Sequence, residues 1–100
     1  MMTAKEARRN TDARISETVA RSRELIETDA IGVNHMIEEA IASCRNTTVF
    51  CITKFFRNNN FDSTEEREIF IQTFHEYFKN LGYTVSSWDG LTGYHFQLDW

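Results

Sequence analysis

Proline is absent from the 100 residues and glycine occurs four times, so the chain has few residues that break helices and no collagen-like or low-complexity tract. Long regular elements are expected. There are two cysteines, Cys44 and Cys51, far below the density of a disulfide-stapled secreted scaffold, and their spacing matches no CxxC metal or redox motif. Free buried thiols in a reducing cytoplasm follow. No stretch approaches the roughly 18 apolar residues of a membrane span, and the opening Met1-Met2-Thr3-Ala4-Lys5-Glu6 lacks the apolar segment of a signal peptide. No membrane partner is expected. Eleven basic residues against fifteen acidic give a net charge of −4, which argues against nucleic acid as the main partner.

With 41% apolar and 26% charged residues, the composition describes one domain, residues 1–100, with an expected radius of gyration near ~13 Å. Thr3 and Glu6 are spaced as a capping box, and helix formers continue to about Cys44. Ile15, Val19, Ser22, Ile26, Ala30, Val33, Ile37 and Ala40 recur at spacings of four and three, the stripe of an amphipathic helix. Gly32 costs roughly 1 kcal/mol inside a helix relative to alanine, so a break there is expected, giving two helices. An unbroken helix would outrun the domain and could bury its stripe only against another subunit. The region 1–45 is therefore read as a helical oligomerisation region, with Ile15, Val19, Ile26, Val33 and Ile37 as interface residues.

Thr47 to Phe56 is β-branched and aromatic on both faces and reads as a central strand covered on each side. Arg57-Asn58-Asn59-Asn60 is a polar turn, and Ser63 with Glu66 opens a further helix that ends at Gly82. Phe70, Phe74, Tyr77, Phe78 and Leu81 form its aromatic stripe, which reads as core. Tyr83–Trp88 and Tyr94–Trp100 make a hairpin, with Tyr94, Phe96, Leu98 and Trp100 on one face and His95, Gln97 and Asp99 on the other. The fold class is α+β: two amino-terminal helices, then a β-α-β-β core over 46–100 whose small three-stranded sheet packs on the aromatic-striped helix.

Chemistry-bearing patterns are sparse. His35 and Glu38 stand at i and i+3, but no spacing supplies further ligands, so no metal is assigned. Cys51 in an apolar strand and Cys44 at a helix carboxyl end are both unsuited to form a thiolate. No phosphate-loop, dinucleotide, zinc-protease or nucleophile-elbow motif occurs, so neither an enzyme nor a cofactor is expected. Arg57, Asn58, Asn59 and Asn60 follow the strand at its carboxyl end and precede a helix, where ligands bind in many sheets. A guanidinium can fork onto phosphate and the amides can read a base edge. Tyr83, Trp88 and Tyr94 would add stacking surfaces from the hairpin.

Thr3-Ala4-Lys5-Glu6-Ala7-Arg8, Ile37-Glu38-Glu39-Ala40-Ile41, Leu81-Gly82-Tyr83-Thr84-Val85 and the closing hairpin ending in Trp100 resemble small accessory proteins of tailed bacteriophages. Where those proteins place a glycine turn before the first strand, this chain has Arg45-Asn46-Thr47. The resemblance implies a host-takeover or counter-defence protein in the cytoplasm of an infected bacterium, acting by binding. It further implies a homo-oligomer that sequesters a cyclic-nucleotide immune signal, an anti-defence sponge. The alternative is a protein-protein inhibitor of a host enzyme or defence protein, anchored through Trp88 or Trp100.

Overall fold

The computed structural model describes residues 1–52 and 63–100. Helix α1 spans Ala4–Ala42, strand β1 Thr47–Cys51, helix α2 Thr64–Asn80, strand β2 Thr84–Gly90 and strand β3 Gly93–Asp99. The three strands form an antiparallel sheet in the order β1-β3-β2. The described fold is α+β as expected, but with one amino-terminal helix where two were expected.

Both helices start as their sequences dictate. Thr3 Oγ1 accepts from the Glu6 backbone N–H at 3.2 Å, and Ser63 Oγ accepts from the Glu66 N–H at the same distance, each removing one unpaired donor of a first turn. Gly32 does not break α1. Its cost is spread over a 39-residue helix whose buried positions run through it: Thr18, Ser22, Ile26, Val33, Ile37 and Ala40. Packing on both sides of the glycine outweighs about 1 kcal/mol of propensity. At 1.5 Å per residue α1 is about 58 Å long, which accounts for extents of 60 × 29 × 20 Å and a radius of gyration of 15.8 Å, above the value for an isotropic domain.

The two helices pack on each other and run in the same direction. Arg14 of α1 meets Glu66 near the start of α2, and residues 30–37 lie beside Tyr77, Phe78 and Leu81 near its end. Together they form one layer against a single face of the sheet, α1 toward β1 and α2 toward β2. Register places Phe50 opposite Phe96 and Thr48 opposite Leu98 on this inner face. Phe96 is the hub: its ring stacks on Phe74 at 3.9 Å and lies 6.0 Å from Phe50 and 6.4 Å from Phe70. Ile26, Val33 and Ile37 of α1 belong to the same cluster, so residues 1–45 share their core with residues 46–100.

Several expectations are corrected here. β1 ends at Cys51, the Thr53–Phe56 part of the expected strand lies outside the described residues, and the second face of β1 is open: Val49 is 43% exposed and no described element covers that side. Burial was expected for both thiols; Cys51 falls on this open face, opposite His95, and is half-buried, and Cys44 is exposed. Leu81 is the cap residue of α2 rather than part of its buried stripe, and is exposed. The hairpin is tighter than expected, with Leu91 and Thr92 alone between Gly90 and Gly93.

Candidate functional site

Sheet alternation sends Val85 and Ser87 of β2 and Tyr94, Phe96 and Leu98 of β3 to the face that meets α2. Most of these are apolar; Ser87 is not. On α2, His75 directly follows the buried Phe74 and reaches the same place from the other side. His75 Nε2 lies 2.6 Å from Ser87 Oγ, and Ser87 Oγ lies 2.8 Å from the Tyr94 hydroxyl. Three secondary-structure elements are thus tied by one hydroxyl.

Burial lowers the pKa of His75 below the usual imidazole value, because desolvation disfavours the cation. The ring is neutral at pH 7. In the tautomer with Nε2 unprotonated, Ser87 donates to it and accepts from Tyr94, whereas with Nε2 protonated the imidazole donates to Ser87 and Ser87 donates to Tyr94. The Arg67 guanidinium stands 5.0 Å from the centre of the Tyr94 ring, a cation–π contact that fixes the ring's outer side.

β2 is a sheet edge, and between it and the flank of α2 run two adjoining hollows of about 570 and 380 Å³ that share Ile71 and Gln72. Tyr83 and Lys79 line the first and Tyr94 and Arg67 the second. His75 lies on the wall of the first. Glu76, Glu68 and Asp89 add carboxylates along the same groove. A ligand here meets aromatic edges at both ends, cations within reach of phosphate, and carboxylates able to accept from hydroxyl or amino groups.

Of the residues singled out from sequence, Tyr83 and Tyr94 come together along this groove. Trp88 does not join them. Opposite parity puts it on the open sheet face, 41% exposed and stacked on His95 with ring centres 5.8 Å apart. Arg57, Asn58, Asn59 and Asn60 lie outside the described residues. Of the expected interface residues, Ile15 is exposed and Val19 half-buried, but Ile26, Val33 and Ile37 are buried in their own chain's core. Intrachain packing therefore corrects the assignment of those three: α2 and the sheet run alongside α1 and cover its carboxyl half. His35 and Glu38 lie on an exposed face, 3.6 Å apart, and among the described residues no three His, Cys, Asp or Glu side chains gather as metal ligands.

Sequence reasoning missed His75 with Ser87. The one available signal was a serine at an inward-facing position of an alternating strand, since buried hydroxyls require partners. No helix among the described residues is long and apolar enough to cross a membrane. No family model, no curated protein and no solved structure matches the chain.

Proposed function

We propose that the chain is a non-enzymatic binding protein, an accessory protein of a tailed bacteriophage acting in the infected host's cytoplasm, that assembles with copies of itself and sequesters a nucleotide-like host signal in the groove between α2 and β2. The observation that supports this reading is the groove itself, with Tyr83 and Tyr94 at its ends and the His75-Ser87-Tyr94 chain holding its walls together. Aromatic edges suit a base, Arg67 and Lys79 suit phosphate, and Glu68, Glu76 and Asp89 suit ribose hydroxyls. The phage origin rests on the sequence resemblance alone.

Isothermal titration against cyclic dinucleotides and ADP-ribose derivatives tests it. Binding at about micromolar Kd, weakened about tenfold or more by Tyr83→Ser and by His75→Gln, is the expected result. Silence across the panel at about 100 µM would overturn the nucleotide reading.

A second reading, inhibition of a host protein, is favoured by the β2 edge. Its seven residues, Thr84–Gly90, hold no lysine and no proline to deter strand addition, and Trp88 stands exposed beside them. A single stoichiometric host protein retained by the wild type and lost with Trp88→Ala would establish this reading over the first.

A further inference from the structure

The amino-terminal third of α1 differs from the rest of the helix. From Ala4 to Glu17 every residue is exposed, whereas from Thr18 onward a buried side chain recurs at every turn or two. Apart from the Arg14–Glu66 ion pair, this segment buries no side chain within its own chain, and backbone propensity alone leaves such a segment marginal in water. Between it and the start of α2 lies a groove of about 690 Å³, with Met2, Ala7, Ile15 and Thr18 on the α1 side and Ile69 on the α2 side. Met2 is 56% and Ile15 44% exposed.

We propose that the occupant of this groove is a second copy of the chain, related by a two-fold axis, whose α1 runs antiparallel to the first. The inference rests on the self-assembly half of the reading above and moves the interface from the buried residues Ile26, Val33 and Ile37 to the free end of the helix. Charge complementarity identifies the partner. The projecting turns are net basic, Lys5, Arg8 and Arg9 against Glu6, whereas the opposite lip of the groove is acidic through Glu65 and Glu68. A two-fold axis lays the basic turns of each copy along the acidic lip of the other, so the attraction is made twice.

Shape agrees with charge. Ala7, Thr11, Ile15 and Thr18 follow at spacings of four, four and three, one stripe of the helix. With the axis passing near Thr11, Ile15 falls opposite the partner's Ala7, and the small residues Ala7 and Thr11 let the two backbones approach. Glu66 at the groove floor already holds Arg14, which leaves Glu65 and Glu68 as the lip that meets the incoming helix.

Sedimentation equilibrium of the full chain tests the proposal. The expected mass is twice the 11.7 kDa of one chain. Ile15→Glu and Ala7→Glu, both at exposed positions, are expected to weaken self-association about tenfold or more while circular dichroism and the melting temperature of the monomer stay unchanged. A Glu65→Lys/Glu68→Lys variant is expected to self-associate weakly and to recover a dimer when mixed with an Arg8→Glu/Arg9→Glu variant. Monomers at about 100 µM, or an oligomer indifferent to Ile15→Glu, would overturn it. Failure of the ligand reading would look different: silent titrations with an intact, Ile15-dependent dimer, which supports the interface and counts only against the ligand.

Discussion

Cys44 ends α1 in the same left-handed backbone conformation with which Gly82 ends α2, at φ values of 59° and 97°. The hydrogen bonds are equivalent: Arg45 N–H donates to Ala40 C=O at 2.8 Å and Cys44 N–H to Ile41 C=O at 3.0 Å, as Tyr83 donates to Phe78 at 3.1 Å and Gly82 to Lys79 at 2.9 Å. Both are Schellman closures. Only one has the residue without a Cβ, so Cys44→Gly is expected to raise stability by about 1 kcal/mol and Gly82→Ala to lower it by about as much. Urea midpoints at constant slope would read both, and a destabilised Cys44→Gly would show that the thiol has a role the backbone does not reveal.

Glu66 is spaced for a capping box, yet its carboxylate is engaged elsewhere: Oε1 accepts from Arg14 at 2.6 Å and Oε2 from Arg21 at 3.2 Å. The acid is 9% exposed while the two arginines are 50% and 40% exposed, so solvent screens part of the attraction. Glu66→Ala is expected to cost about 2 kcal/mol. In a double-mutant cycle, the second arginine removed should cost more than the first, because it strips another cation from a buried carboxylate. Strict additivity would mean that Arg14 and Arg21 act on Glu66 independently of each other.

Acidification acts through His75. Its lowered pKa means that the unfolded chain binds the proton more readily than the folded one, so stability falls as pH drops below about 6.5 toward the folded-state value. Asp29 has the opposite sign. Burial raises its pKa above 3.8, so as pH falls toward that value the folded state takes up the proton first and gains stability. Asp99, lowered by the Gln97 side chain, loses its contribution as pH falls below 3.8. The net expectation is a loss of stability as pH falls below about 6.5 that His75→Gln removes, read from urea midpoints across pH.

Ser22 is fully buried between α1 and its neighbours, and its hydroxyl has no hydrogen-bond partner among the described residues. Ser22→Ala removes that unmet hydroxyl and introduces the best helix former, so stability should rise by about 1 kcal/mol. A loss on thermal unfolding would show that the hydroxyl is satisfied in solution.

A neutral imidazole hydrogen-bonded to a serine hydroxyl is also the resting arrangement of a nucleophilic serine. In this chain the same hydroxyl is shared with Tyr94 and sits in the middle of β2. The binding reading therefore expects a fluorophosphonate probe to leave Ser87 unmodified by mass spectrometry. Labelling abolished by His75→Gln would replace that reading with a hydrolytic one.

Much of the architecture is legible locally. The caps at Thr3 and Ser63, the stop at Gly82, the aromatic stripe of α2 and the parity of β3 depend on neighbours within a few residues, where hydrogen-bond and side-chain periodicity act directly. The continuity of α1 is different. Gly32 argues for a break from its own propensity, and the outcome turned on what packs against Ile26 and Val33 from distant parts of the chain. The site was legible only in fragments. Tyr83 and Tyr94 were visible as hairpin aromatics, but their separation from Trp88 required the register between β2 and β3.

The sequence alone determined where helical and strand character lie along the chain and the apolar stripe of α2 and the inner face of β3, because these follow from spacing along a helix or strand. Tertiary structure decided which surfaces hide one another. It put the carboxyl half of α1 into the chain's own core, left the amino end bare, and joined His75 to Ser87 across 12 residues of sequence. Contacts between distant segments depend on helix direction, strand order and register, and no local periodicity encodes these.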